Sequence, residues 1–169
     1  VVGPSGIVFG QNSDWILERF AKKPWEERLL KPVNKNVIAV VREFDDPLPS
    51  DAKDLDAVVC MLFYHDTFWL KVLGSKMNAA VFRALKPGGV YVIVDHSGRP
   101  GTGATEVESL HRIEEVVVRQ ELETAGFKLL AESNAWRDAT DTRDWNTSPG
   151  AAGEKRGHSD RFALKFSKP

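Results

Sequence analysis

The sequence has very little with which to crosslink itself. One cysteine, Cys60, stands in 169 residues, so no internal disulfide can form and a disulfide-stapled scaffold is excluded. Surplus charge is absent too. The 23 basic side chains against 24 acidic ones give a net charge of −1, which leaves no basic surface to neutralise a nucleic-acid backbone or an anionic bilayer. Nucleic acid and membrane are therefore not expected partners, and no apolar run reaches the ~20 residues of a spanning helix. The opening VVGPSGIVFG has no basic segment followed by an apolar one and no initiator methionine, so it reads as the interior of a protein and not as a signal peptide. Histidines at HxH or HxxxH spacing are missing, and no metal site is expected from spacing alone. What is present, 42% hydrophobic and 28% charged residues, suits one soluble globular domain over residues 1–169, and the lone thiol suits the reducing cytoplasm.

Short apolar runs bounded by turn residues alternate with helical patterns. Strands are predicted at residues 6–10 (GIVFG), at Val37–Val41 (VIAVV), at 55–64 (LDAVVCMLFY), at 90–94, at 127–131 and at 161–166 (RFALKF). Apolar residues on both parities of 55–64 predict helices over both faces of that strand. Ser13 is placed as an N-cap, followed by two short helices over 14–30 with the break at Pro24. A helix over 75–85 stops at Lys86-Pro87-Gly88-Gly89, and one long helix over 105–125 stops at Gly126. Residues 134–158 show no periodicity and read as a long surface loop. The alternation predicts a doubly wound, mostly parallel α/β sheet with an antiparallel C-terminal edge.

The order of LKPGGVYVIVDH, FYHDT, DHSGRPGTG, LHRIEE, AGFKL and DRFALKF resembles class I S-adenosylmethionine-dependent methyltransferases, and more closely a bacterial group of predicted methyltransferases. The resemblance spans essentially the whole chain. It implies a Rossmann-like fold, S-adenosylmethionine as cofactor and a small-molecule substrate. One feature departs from the pattern. The family's glycine-rich turn between first strand and first helix lets the backbone approach the cofactor, and Gly3, Gly6 and Gly10 flank a strand instead. Aligned by strand order, GIVFG becomes the family's second strand, so the sheet lacks the first strand and helix. Three accounts are open: a fragment of a longer polypeptide, which is the most economical; a second chain, whether another copy or a partner segment, completing the sheet; or a rearranged sheet without a working cofactor site.

Ligands of open α/β sheets lie beyond the carboxyl ends of the strands. The resemblance places Asn12 where the family holds the ribose, Asp45 near the adenine, and Phe63 and Tyr64 as the wall around the methionine portion. His65, Asp66, Asp95 and His96 end two strands expected to be neighbours, and an imidazole beside a carboxylate suits proton transfer from a hydroxyl or amine acceptor. Against this, each aspartate also suits a simple cap. His111 and Arg112 are candidates for substrate binding, with a solvated ion pair from His111 to Glu115 as the plainer alternative. Trp136 is a candidate cover for an apolar substrate, together with Trp145. Two rival functions are a metal-dependent enzyme using the His and Asp cluster, and a binding module without catalysis.

Overall fold

A computed structural model describes every residue except Val1 and Pro4. Strand β1 (Val8–Asn12) pairs in parallel with β2 (Val37–Val41). Between them Ser13 caps α1 (Asp14–Ile16), its Oγ accepting the Ile16 N–H at 3.3 Å. A π-helical turn, Leu17–Ala21, leads into α2 (Lys22–Leu29). The helix therefore breaks at Ala21, where φ is −129°, and not at Pro24. Pro24 falls in the first turn of α2, where a missing N–H costs no helical bond.

The second sheet is built from β3 (Leu55–Met61), β4 (Leu85–His96), β5 (Lys128–Ser133) and β6 (Arg161–Ser167), in the order β3-β4-β6-β5. Strand β4 runs parallel to β3, and β6 is antiparallel to both β4 and β5, as the C-terminal edge was expected to be. Helices α3 (Tyr64–Trp69), α4 (Gly74–Ala84), α5 (Val107–Leu110) and α6 (Glu115–Thr124) complete the chain.

Two further elements differ from the sequence expectation, both beside strand ends. The third strand ends at Met61. Leu62 still donates to the Val94 carbonyl at 2.7 Å but adopts φ 54°, and Tyr64 begins a helix. The helix predicted over 105–125 is split at His111, which has φ 52°. There the Ile113 N–H bonds to the His96 carbonyl and the Gly98 N–H to the Ile113 carbonyl, at 3.2 and 2.8 Å. Bonds to the end of β4 thus replace those of a continuous helix, an instance of tertiary context overriding periodicity. Glycine at 98 permits the approach, because a Cβ there would lie 2.9 Å from the Glu114 nitrogen.

The core gathers Tyr91 and Ile93 of β4, Phe162, Leu164 and Phe166 of β6, Val118 and Leu122 of α6, and Ile113. Burying each large side chain is worth roughly 1.5–3 kcal/mol. No ladder joins β1 to β3 among the described residues, so each keeps one edge without a strand partner. Val59 and Met61 of β3 are 58% and 54% exposed; helices do not cover both faces of that strand.

Candidate active site

The end of β4 meets the start of α3, just beyond β3, through one carboxylate, so His65 and Asp66 lie on a helix and do not end a strand. Asp95, fully buried, accepts the His65 N–H at 2.8 Å, His65 Nδ1 at 2.7 Å and the His96 N–H at 2.8 Å. An ionised carboxylate only accepts, so His65 carries its proton on Nδ1. The opposite ring nitrogen, Nε2, lies 3.3 Å from Asp66 Oδ1, and the same oxygen lies 3.2 Å from His111 Nδ1. The His65 ring is 5.6 Å from that of His96 and 5.4 Å from that of His111, with Trp69 beyond at 6.4 Å from His111. His96 is tied on its other side to Ser159 Oγ at 2.7 Å. Three of the four histidines of the chain thus share one corner of the fold.

The electrostatics divide these imidazoles. Burial pushes His65 downward, but the charge of Asp95 and the hydrogen bonds of Asp66 and Asp95 outweigh it and raise the group to about 10. Burial pushes Asp66 upward and is overcome by the two histidines, which hold it well below the usual carboxylate range. Burial lowers His96 to about 4, opposed by Asp95 and reinforced by the cations of His65, Arg161 and Arg112. At neutral pH His96 is therefore neutral and His65 cationic.

The other candidates are dispersed. Tyr64 points into the core: it is fully buried, its hydroxyl donating to Glu121 Oε2 at 2.7 Å and accepting from Asn78 Nδ2 at 2.8 Å. Burial raises this phenol, and the side chain has no face to offer a cofactor. Phe63 stacks on Phe44 with centroids 4.6 Å apart. Asp45 stands 3.9 Å from Lys76 and, with Ser75 and Arg83, borders a cavity of about 340 Å³. Asn12 is half-buried at the end of β1, its carbonyl accepting the Arg42 N–H.

Arg112 is enclosed. It pairs with Asp141 at 2.9 Å, donates to the carbonyls of Ser97 and Trp145, and lies 4.7 Å from the centre of the Trp145 ring. No side of its guanidinium is left for a substrate. His111 does not pair with Glu115, which instead meets Arg119 and Arg137; the left-handed backbone at His111 turns its ring to Asp66. Trp136 is 44% exposed on the loop before β6, while Trp145 is held by its Nε1 on Asp141 at 2.7 Å. Beside the tip of β4 a cavity of about 510 Å³ opens between Ser97, Gly98, Glu114, Arg119, Arg137 and Arg143. Sequence reasoning missed Trp69 and Ser159. Trp69 stands four residues after His65 and shares its helix face, a signal legible only once the helix is known to start at Tyr64.

No family model and no curated protein matches the sequence. Solved structures do match the fold. An S-adenosylmethionine-dependent methyltransferase from Aquifex aeolicus superposes with a TM-score of 0.64 and 21% identity, over 99% of this chain and 72% of that one. The [4+2]-cyclase SpnF gives 0.56 and 19%, over 88% and 61%. Human N-acetylserotonin methyltransferase, solved with S-adenosylmethionine, gives 0.52 and 16%, over 85% and 37%. The chain therefore spans well under the full length of these neighbours. At such identities the likeness is one of architecture, and the chain has the fold of the class I S-adenosylmethionine-dependent methyltransferases.

Proposed function

We propose that the chain belongs to an S-adenosylmethionine-dependent methyltransferase that acts on a small molecule, with the acceptor held at the His65, Asp66 and His111 cluster. The observation that carries this reading is that Asp95, at the end of β4, holds His65 at the start of the helix that follows the neighbouring parallel strand β3, at the edge where ligands of such sheets bind.

The residues present fit one half of that cofactor. Asn12 ends β1, Asp45 follows β2, and Phe44, next to Asp45 in sequence, packs on Phe63, a polar and aromatic set suited to a nucleoside. The methionine half finds no glycine cradle among the described residues. A Cβ at Gly10 would meet Trp25 at 2.5 Å, and one at Gly98 would meet protein backbone, so these glycines serve packing. The reading therefore includes a strand and glycine turn, supplied from outside the described residues, that lies between β1 and β3. When bound, the cofactor supplies an electrophilic methyl group. This chain's own part is to orient the acceptor and remove its proton. His111, with Nδ1 turned to Asp66, presents Nε2 to an acceptor hydroxyl or amine, and Asp66 stabilises the imidazolium so formed.

Calorimetric titration with S-adenosylmethionine tests the reading. A chain lengthened upstream of Val1 should bind it, and residues 1–169 should bind it poorly. D45A in the lengthened chain should weaken binding about tenfold, the effect of one lost charged hydrogen bond. Absence of binding by both chains removes the proposal.

A further inference from the structure

We propose that His65, Asp66 and His111 form a binding site for a late divalent cation such as zinc. Each of the three residues offers a ligand atom within 4.8 Å of the others, and the nearest atoms are His65 Nε2, Asp66 Oδ1 and His111 Nδ1. Two edges of this triangle measure 3.3 and 3.2 Å. In a tetrahedral site with bonds of about 2.0–2.1 Å, ligand atoms stand about 3.3–3.4 Å apart. Those two edges have the length found between ligand atoms of such a site.

The surroundings match the requirements of such a site. His65 donates from Nδ1 to Asp95, and Asp95 is itself fixed by the N–H groups of His65 and His96. A ligating histidine is characteristically oriented in this way, with its second nitrogen on a carboxylate. His111 sits at φ 52° where α5 ends, an uncommon conformation for a residue other than glycine, and it is what turns the ring to Asp66. Asp66 and His111 keep 24% and 23% of their side chains exposed, which leaves a coordination position open on the solvent side. Two imidazoles and one carboxylate favour zinc or another late divalent metal over magnesium or calcium, which take oxygen ligands. His65 and Asp66 are sequence neighbours on a helix, whereas His111 comes from a distant break in another, so no spacing motif marks the set. The cation takes the same His111 Nδ1 and Asp66 Oδ1 that pair in the acceptor-binding state, so the two states are alternatives at one cluster, and metal content is measured without cofactor.

The test uses the untagged chain, stripped with chelator and titrated with Zn²⁺, with Fe²⁺ under anaerobic conditions, and with Co²⁺ as a spectroscopic reporter. We expect one equivalent bound and intense tetrahedral Co²⁺ absorption. H111N, which keeps a residue tolerant of the left-handed conformation, and D66N should each lower affinity at least tenfold while the metal-free variants still unfold cooperatively. D95N should weaken binding 10- to 100-fold. H158A, at the exposed fourth histidine, should bind as the parent does. Absence of stoichiometric metal, unaltered affinity in H111N, or loss of binding in H158A would each overturn the proposal. Failure of the methyltransferase reading would appear separately, as absent cofactor binding by the metal-free chain lengthened upstream of Val1.

Discussion

Strand β4 lies between two partners and buries Tyr91, Ile93 and Val94, whereas β2 has one partner and leaves Ile38 and Val41 about half in water. Both strands are rich in the same β-branched residues, so composition does not explain the contrast. The four-stranded sheet brings helices α4 and α6 onto a shared core, and none of α1, the π turn and α2 contains a buried residue. A two-stranded pair is marginal by itself. The β1-β2 unit instead leans on the rest of the chain through aromatic contacts, Phe44 on Phe63 and Trp15 on Trp69, and through Asp45 beside Lys76. Strand propensity sets where ribbons form; the number of ladder partners and covering helices sets how much stability each contributes.

The contrast is broken most strongly at Asp141. This carboxylate lies with Arg112 behind the tip of β4, and besides accepting from Arg112 it accepts the N–H groups of Arg143 and Asp160. D141N strands a buried guanidinium and should cost about 3–5 kcal/mol in urea unfolding. Burial raises this carboxyl, yet the backbone donors and Arg112 outweigh it and hold the group below its usual 3.8. Its contribution is therefore complete above the usual carboxylate range and is lost as pH falls through the lowered folded value. The parent protein should lose stability in acid by this route, and D141N should show a flatter acid limb; an equally steep limb in the variant would assign the loss to other groups.

A matched pair of truncations sharpens the comparison. I93A, at a side chain with 0% exposure, should cost about 2–5 kcal/mol. I38A, at a side chain 47% exposed, should cost under about 1 kcal/mol. Equal losses in denaturant titrations would mean that the two sheets are equally packed in solution. The smallest effect is expected from S13A, which removes the N-cap of α1 and should cost about 1 kcal/mol. Faster amide exchange confined to residues after Ser13, with β4 unchanged, would mark the loss as local to the β1-β2 unit.

Much of the sheet was legible because the continuous apolar runs VIAVV and VYVIV and the alternating RFALKF sit between turn residues. The split helix was not. Val107, Leu110, Ile113 and Val117 keep helical spacing, but Ile113 bonds to His96 and Gly98, and those distant partners outcompete the local turn. The same holds for residues 62–65, where an apolar run continues the strand pattern while Asp95 draws the His65 N–H into a new helix. At the site, His65, Asp66, Asp95 and His96 could be read as polar strand ends. Nothing in the order of residues told that His111 would join them, or that Tyr64 would turn into the core and Arg112 be closed off by Asp141.

The sequence by itself determined the alternation of strand and helix, the antiparallel close at Arg161–Ser167 and the polar character of the strand ends, because these follow from local periodicity and turn chemistry. Only the tertiary structure decided which imidazoles share a carboxylate and which are buried neutral. Those outcomes depend on contacts between residues dozens of positions apart, where hydrogen bonds and desolvation, not neighbouring residues, set the balance.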